Sequence, residues 1–333
     1  IKDRGTIQKF DQVASLFPHD FIELLFPPVN YIGAKHFFET RLNDIKKIDP
    51  LIPSAIDDEY LESFPHRVTT DDLKPTIMTG KGTRATQKGD PFPADGVLPL
   101  SLKDAVNCFI ISTAIRISRE KEMYQSKMFQ PHNTMLIHIS RFTTWQTRTK
   151  DNVQKYVNEL ISSLENDSPF DKTGVYAEFE KIWNKYYAYI MENIQSYLHE
   201  DYEDDFLTPR TYREIQPLLF KAISDVEVKA INSETKDSLT YPDDSPKKYI
   251  AIGGNRLSRG FTLEGLTINY FIRNTNFSDT LLQMGRWFGY RPGYIDCCKV
   301  FATQDGLDKF DQTTATIEDL EEKFIEMNRD PSN

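Results

Sequence analysis

The sequence predicts an α/β protein with a mostly parallel β-sheet flanked by helices. Three short apolar runs, Tyr249–Ile252, Thr267–Ile272 and Cys298–Ala302, have the length and the β-branched or aromatic content of buried strands. Two earlier runs, Asn133–Ile139 and Val226–Ile231, have the same character. Helical patterns separate several of these runs, and such alternation is typical of a parallel sheet.

Residues 1–100 have the least regular pattern, and we predict an irregular, accessory region there. Pro27-Pro28 interrupts any helix, and Thr69–Pro99 is rich in proline, glycine and polar residues. The segment Thr79–Thr83 contains glycines and a lysine, but the Walker A spacing G-x-x-x-x-G-K-[ST] is absent there and elsewhere in the sequence. A surface loop is therefore the better interpretation of that segment.

Three stretches have the periodicity of helices. Ser101–Asp104 has the pattern of a capping box before a buried helix over Ala105–Ile117. Apolar residues from Val153 to Leu164 predict an amphipathic helix. The aromatic stripe over Phe179–Leu198 keeps an unbroken helical period, so we expect it to pack against the body of the protein rather than stack on bases.

These patterns predict one main domain over residues 101–312, with a helical insertion at about 165–224. An acidic helix follows within residues 313–333. No apolar run approaches the roughly 20 residues that span a bilayer, so we expect a soluble protein.

Charge is unevenly distributed along the chain. The net charge of −10 argues against a broad nucleic-acid-binding coat. However, Arg256–Lys299 contains six lysine or arginine residues and only three acidic ones, whereas Glu200–Asp205 and Glu318–Glu326 are strongly acidic. This segregation favours a focused anion site.

The cysteines and the first residue indicate the context of the chain. Cys108, Cys297 and Cys298 are odd in number and lack metal-binding spacing, which is typical of a reducing cytoplasm. Ile1 rather than methionine begins the sequence, which is what we expect of a segment of a longer protein.

Two connections between the C-terminal strands are rich in glycine, arginine and small polar residues. Residues 253–260 read GGNRLSRG, and residues 283–291 read QMGRWFGYR. Glycines allow the backbone to approach a ligand closely, and arginines offer paired donors that match phosphate oxygens. Loops of this kind after buried strands suit a phosphate-handling site at the edge of an α/β sheet.

These segments resemble motifs V and VI of the superfamily 2 helicases, and more closely the Z1 domain family, a bacterial group described as endonucleases. The resemblance extends from about Phe17 onward and is strongest in NTMLIHISRFT (133–143), LSRGFTLEGLT (257–267) and YFIRNTNFSDTLLQMGRWFGYRPGY (270–294). It implies a RecA-like fold, the C-terminal lobe of a helicase-type motor.

The resemblance also implies roles for individual residues. Arg286 and Arg291 become candidates for an arginine finger, Gln283 would orient water or the nucleotide, and Gly285 gives the backbone room. The residues similar to the motif V nucleotide sensor are Ser258, Arg259, Gly260, Thr262 and Glu264. The residues similar to motif IV, which would hold nucleic-acid phosphates, are Ser140, Arg141 and Thr143. Of the motif V group, Ser258 and Arg259 would contact nucleic acid, and the others the nucleotide.

The spacing of the arginines differs from the common helicase pattern. Gln283 precedes Gly285 by only two residues, and Arg291 lies five residues beyond Arg286. Which arginine is the finger therefore stays open, and we prefer Arg286 because it follows Gly285 directly.

The implied ligands and partners follow from the missing Walker A motif. ATP and Mg²⁺ would be held mainly by an N-terminal RecA-like lobe of the full-length protein. The resemblance implies nucleic acid, preferably DNA, as a partner, together with a nuclease or methyltransferase of a bacterial restriction or defence system.

Two alternative functions stay open at this point. The family description suggests a metal-dependent endonuclease, for which acids occur in Glu200–Asp205 and in Asp243-Asp244 near Lys247-Lys248. The third hypothesis is a non-catalytic module that binds nucleic acid or a partner protein on a degenerate motor fold.

Overall fold

The computed structural model describes most of the chain from residue 98 onward and a few short segments before it. The described residues are 25, 28, 30–34, 37, 67–70, 72, 77–79, 86–88, 98–124, 129–140, 142–198, 202–235, 237–254, 257, 262–272, 286 and 289–329. The α-helices in this part of the chain are α1 (Leu100–Met123), α2 (Thr143–Asn166), α3 (Val175–Tyr186), α4 (Ala188–Asn193), α5 (Tyr212–Ile215), α6 (Leu219–Ile223) and α7 (Gln304–Arg329).

Six strands form the main sheet, and all of its neighbouring pairs are parallel. These strands, in sheet order, are β2 (Arg67–Thr69), β10 (Lys299–Ala302), β8 (Leu266–Phe271), β5 (Asn133–His138), β7 (Lys248–Gly253) and β6 (Val226–Ile231). Two antiparallel pairs stand apart from this sheet. They are β1 (Tyr31–Ile32) with β9 (Gly289–Tyr290), and β3 (Ile77–Thr79) with β4 (Thr86–Lys88).

Because the strands are parallel, the sheet has two chemically distinct edges. All strands begin at one edge, here called the amino edge, and all end at the other, called the carboxyl edge. The six-residue strands rise about 3.3 Å per residue, so groups at the two edges are on the order of 20 Å apart. Loops that precede strands therefore cannot share a compact site with loops that follow them.

The two faces of the sheet are covered differently. Met135 and Ile137 of β5 belong to the main hydrophobic core, which also contains side chains of α1, α2 and α3. The residue between them, Leu136, belongs to a smaller cluster on the other face with Ala251 and Leu257. This alternation follows from the two-residue period of a strand.

Helix α1 crosses the main face from the carboxyl edge to the amino edge. Near its start, the Ser101 hydroxyl lies 2.7 Å from the Tyr270 hydroxyl, close to the end of β8. Near its other end, the Arg116 guanidinium donates to the carbonyl of Gly265, just before β8. The helix therefore connects the two edges directly.

The predicted α/β fold with a mostly parallel sheet flanked by helices is confirmed. The five predicted strands are present with boundaries shifted by at most two residues. The sequence analysis missed β2, which pairs in parallel with β10 and comes from the region expected to be irregular. A three-residue strand flanked by polar sequence carries too little periodicity to be recognised.

The start of α1 corrects one prediction. Pro99 precedes the helix, and no side chain of a capping box bonds to its first turn. Instead, Asp72, from an earlier segment of the chain, accepts hydrogen bonds from the Ser101 N–H (2.8 Å) and hydroxyl. Asp104, the expected partner of Ser101, accepts a hydrogen bond from the Tyr186 hydroxyl (2.7 Å).

The aromatic stripe packs into the core, as predicted. Phe179, Trp183 and Tyr187 are each less than 5% exposed. The stripe is divided between α3, α4 and a short 3₁₀ turn at Ile194–Tyr197 rather than forming one helix. Across the described part of the chain, we find no helix with the length and apolar character needed to cross a membrane.

Candidate functional site

The structure separates the described candidate residues between the two edges of the sheet. Ser140 and Thr143 follow β5 at the carboxyl edge, whereas Thr262 and Glu264 precede β8 at the amino edge. Arg291 precedes β10 and lines a cleft that Glu264 also lines. The candidates that lie outside the described residues are Arg141, Ser258, Arg259, Gly260, Gln283 and Gly285.

At the carboxyl edge, Ser140 forms the turn between β5 and α2. Its side chain is buried, and its hydroxyl oxygen accepts a hydrogen bond from the Phe142 N–H (3.1 Å). The Gln146 amide in turn donates to the Ser140 carbonyl (2.8 Å). Ser140 thus orients the start of α2.

Thr143 is the first residue of α2, and a carboxylate lies beside it. The Thr143 hydroxyl donates to the Glu234 carboxylate (2.7 Å), which belongs to the loop after β6. The N-terminus of α2 has no side-chain cap. An acidic group near an uncapped helix N-terminus is favourable because the backbone N–H groups there carry partial positive charge.

The loop after β7 begins beside this turn. Ile137 of β5 pairs with Ile252 of β7, so Ser140 and Gly254 leave neighbouring strands at the same edge. His138 was predicted to be a core histidine, and it is fully buried with its Nδ1 atom 3.1 Å from the Gly253 carbonyl oxygen. The side chain therefore links β5 to the end of β7.

At the amino edge, Glu264 lies in a hydrogen-bonded array with Gln130 and His132. The Gln130 amide donates to Glu264 Oε2 (2.9 Å), and His132 Nε2 lies 3.7 Å from the same oxygen. The Lys247 N–H donates to His132 Nδ1 (3.0 Å), which fixes the tautomer with its proton on Nε2. Burial lowers the pKa of His132, although the Glu264 carboxylate opposes that shift.

Gly265 makes this array possible. Its φ angle is 62°, and a Cβ atom at this position would lie 1.7 Å from the carbonyl oxygen of His132. That carbonyl accepts a hydrogen bond from Arg116 (2.7 Å), so it cannot move away without loss of the bond. Only glycine fits here.

The Arg291 side chain folds back onto the backbone of residues that directly precede it. Its side chain is 8% exposed, and its guanidinium donates to the carbonyls of Tyr290 (2.9 Å) and Arg286 (3.5 Å). Gly289 leaves room for it, because a Cβ atom there would lie 3.1 Å from Arg291 Nη1. The Arg286 side chain is half-buried, and burial lowers its pKa. Arg291 thus contacts the backbone at both Tyr290 and Arg286, more closely at Tyr290.

A buried ion pair holds the next part of this turn. Arg119 and Asp296 are at most 1% exposed and form two hydrogen bonds of 2.9 and 2.6 Å. Arg119 also donates to the carbonyls of Gly293 (2.9 Å) and Thr208 (2.6 Å). Burial alone would lower the pKa of Arg119, but the Asp296 carboxylate raises it above its ordinary value. The guanidinium therefore stays charged and joins α1 to two loops.

These elements enclose a cleft of about 610 Å³ at the amino edge, here called the amino-edge cleft. Its lining combines aromatic rings, carboxylates, amides and one guanidinium. The lining residues are Asn30, Gln130, Tyr202, Glu203, Asp204, Asp205, Phe206, Leu263, Glu264, Gly265, Tyr290, Arg291, Pro292 and Tyr294. Glycine, arginine and acidic segments that are far apart in sequence thus meet in one concave site.

The model of the Z1 domain matches residues 101–333, from α1 through α7. The chain belongs to the Z1 domain family. No curated protein and no solved structure gives a significant match to it. Strand β2, which completes the sheet of this Z1 domain, lies before the matched residues.

The acids considered for a nuclease centre lie in two separate segments of this Z1 domain. Glu203 and Asp205 line the amino-edge cleft, whereas Lys247 pairs with Glu227 (3.2 Å) and Lys248 approaches Asp225 (3.8 Å). Among the described residues, no three histidine, cysteine or acidic side chains are grouped so that they could hold a metal ion.

Sequence analysis missed several residues that build the amino edge, above all Arg116, Arg119, His132 and Asp296. One signal was available, because Arg116 and Arg119 are charged residues spaced three apart in a helix whose other residues are mostly apolar. Their acceptors, however, lie up to 177 positions away in the chain. Periodicity cannot identify such partners.

Proposed function

We propose that this Z1 domain is the RecA-like, C-terminal lobe of a nucleic-acid-dependent ATPase of the helicase or translocase type. In this proposal it acts within a longer protein of a bacterial restriction or defence system. The observation that carries the proposal is the arginine pair, in which the Arg291 guanidinium donates to the Arg286 carbonyl (3.5 Å). One arginine fixes the backbone from which the other extends.

This arrangement suits an arginine finger. Phosphoryl transfer requires mainly positioning of the nucleotide and neutralisation of negative charge that builds up on its phosphate oxygens. Arg286 would supply the neutralising positive charge to an ATP molecule that the N-terminal lobe binds together with Mg²⁺. Arg291 would act as a positioning residue, because its guanidinium is committed to the carbonyls of Tyr290 and Arg286. In this proposal Arg286 is therefore the finger.

The carboxyl edge suits nucleic-acid phosphates. The turn at Ser140 and the loop after Gly254 leave neighbouring strands at this edge. Helix α2 starts directly after the Ser140 turn, and its N-terminus has no side-chain cap. Backbone N–H groups at a helix N-terminus bind phosphate oxygens well. The Glu234 carboxylate accepts a hydrogen bond from the Thr143 hydroxyl, so a phosphate bound at this helix end would have to displace it.

Nucleotide and nucleic acid would then meet opposite edges of one sheet. The loop that begins at Gly254 at the carboxyl edge leads to Glu264 at the amino edge, and it contains the motif V-like residues. A single connection therefore links the two proposed sites. This is the position that a sensor of nucleotide state requires.

The proposal is tested by ATP turnover of the full-length protein with and without DNA. We expect Arg286→Ala to lower kcat on the order of a thousandfold or more. Arg291→Ala should lower kcat less, and added guanidinium ion should partly restore only the Arg286→Ala enzyme. The exposed Arg213→Ala variant is the matched control and should retain full activity.

The outcomes separate the competing functions. Unchanged turnover in the Arg286→Ala and Arg291→Ala double variant would refute the proposed site. DNA binding without any dependence on nucleotide would support the non-catalytic module. Cleavage of plasmid DNA by this chain with Mg²⁺, abolished by mutation of the acids at 203–205 or 243–244, would support the endonuclease.

A further inference from the structure

We propose that the amino-edge cleft is a docking site for a basic protein segment, with an arginine or lysine side chain inserted into the cleft. This inference does not depend on ATP hydrolysis. The cleft volume of about 610 Å³ is sufficient for a long side chain and part of its backbone. Charge, aromatic surface and rigidity each favour such an occupant.

The charge of the lining favours a cation. Four carboxylates line the cleft, from Glu203, Asp204, Asp205 and Glu264, against the single guanidinium of Arg291. That guanidinium donates to two backbone carbonyls, and its side chain is 8% exposed, so it presents little charge to the opening. A phosphate group inside the cleft would meet mostly carboxylates, which repel it, and Arg286, which is proposed to meet ATP, is not among the residues that line the cleft.

The carboxylates have different tasks within the cleft. Asp204 accepts hydrogen bonds from the Gly293 N–H (2.7 Å) and the Phe206 N–H (3.0 Å), and it therefore builds the wall. Burial raises the pKa of Asp204, while these hydrogen bonds oppose the shift. Glu203 and Asp205 are exposed beside it. These two side chains are the ones that can meet an incoming cation.

Aromatic rings complete the site. Tyr290 is 52% exposed. Its ring packs edge-to-face with the ring of Tyr31, with the two centroids 5.6 Å apart and an angle of 82° between the ring planes. Tyr294 lies at the base of the cleft and already carries the Arg116 guanidinium over its ring at 4.2 Å. Rings of this kind attract ammonium and guanidinium groups through their negative faces. Tyr290 lines the cleft and is exposed, so it is the ring that an incoming cation can contact.

The walls of the cleft are fixed before any ligand arrives. Arg119 donates both to the Thr208 carbonyl, which follows the acidic segment, and to the Gly293 carbonyl, which follows Arg291. Asp204 joins the same two walls through the Gly293 N–H. A pre-organised site loses less conformational entropy on binding, which favours measurable affinity for a short segment.

The experiment is calorimetric titration of the full chain with two matched peptides. Each is acetylated and amidated and reads Gly-Ser-X-Ser-Gly, where X is arginine or citrulline. Citrulline has nearly the shape of arginine but carries a neutral urea. We expect the arginine peptide to bind at least tenfold more tightly, and its affinity to fall as NaCl is raised from 50 to 300 mM.

Variants test the location of binding. Glu203→Gln with Asp205→Asn should weaken the arginine peptide at least tenfold, and Tyr290→Leu should weaken it severalfold. The control, Asp151→Asn with Glu159→Gln, removes the same number of exposed carboxylates from α2 and should leave affinity unchanged. Thermal unfolding of each variant checks that the fold is retained.

Three results would overturn the inference. The first is equal affinity for the two peptides, and the second is unchanged affinity in the Glu203→Gln, Asp205→Asn variant. The third is tight binding of a thymidine decanucleotide that Arg291→Ala abolishes, because the cleft would then be an anion site. None of these results depends on ATP turnover, so they leave the proposed motor function to its own test.

Discussion

At the amino edge of the sheet, buried arginines of α1 bond to carbonyls and to a carboxylate near the starts of β8 and β10. At the carboxyl edge, the Ser140 hydroxyl bonds within its own turn, and the Thr143 hydroxyl bonds to Glu234 in an exposed contact. The amino edge is thus held together by buried charged groups, whereas these two carboxyl-edge contacts are made by hydroxyl groups, one of them local and the other exposed. We expect the first edge to be rigid and costly to alter, and the second to tolerate change.

The strongest test of this comparison is the buried ion pair. We expect Asp296→Asn to lower the free energy of unfolding by about 3–5 kcal/mol, because it leaves the buried Arg119 guanidinium without its counter-charge. Urea denaturation with matched m-values measures the change. The exposed Lys155–Glu159 pair is the control, and Glu159→Gln should change stability by less than about 0.5 kcal/mol. Similar losses in the two variants would contradict the comparison.

Alanine substitution of one glycine at each edge should give the next largest contrast in stability. Gly265→Ala should destabilise the protein by more than about 2 kcal/mol, since its φ of 62° is strained for alanine and the new Cβ would collide with the His132 carbonyl. The Cβ of Gly306→Ala, in α7 just after the carboxyl edge, would lie 3.2 Å from Thr303 Oγ1 and 3.8 Å from Ala302 Cβ, so that only a small adjustment is needed. The stability of this variant should change by no more than about 1 kcal/mol. Thermal unfolding of both variants measures the contrast, which equal effects would remove.

The smallest expected effect is a pH dependence centred on His132. Burial lowers the pKa of His132 in the folded protein below its ordinary value of 6.5, so the unfolded chain takes up the proton first. The contribution of neutral, buried His132 to the free energy of unfolding is therefore complete above pH 6.5 and is lost as the pH falls below that value. The surrounding charged and titratable groups are Glu264, Asp243, Arg116 and Tyr241, of which the Glu264 carboxylate opposes the shift most.

His132→Gln is the comparison variant for this effect. Glutamine can accept from the Lys247 N–H and donate toward Glu264, but it does not titrate. Urea denaturation from pH 5 to 8 should show the wild type losing stability relative to this variant as the pH decreases. A constant difference between the two proteins across that range would show that His132 does not control the amino edge in this way.

The central strands were predictable because burial on both faces requires continuous apolar runs. Leu266–Phe271 is an example, because it is buried along its whole length and is too short for most helices. Val226–Ile231 lies at the end of the sheet, and its alternation of apolar and charged residues shows the two-residue period of a strand. Strand β2 was not predictable, because Arg67–Thr69 becomes a strand only through its pairing with β10. The same reason explains the start of α1, where the first turn is held by Asp72 from another segment.

The candidate site was predictable in part. The sequence proposed Arg286, Arg291 and Glu264 as candidates, and the amino edge brings Arg291 and Glu264 to one cleft. We expected these residues at the carboxyl edge, in loops that follow strands, but Glu264 lies directly before β8 and Arg291 lies before β10. The difference arises because the connection after β7 crosses the sheet before Glu264, and sequence spacing does not reveal on which side a loop residue stops.

By itself, the sequence determined the α/β class, the central strands and the family, because apolar periodicity and motif residues are local properties of the chain. Only the tertiary structure decided that Arg119 would meet Asp296, that Asp204 would bond to Gly293 and that these contacts would enclose a cleft. Those pairings depend on which loops the parallel sheet brings to each edge. They become energetically necessary only when folding removes these charges from water.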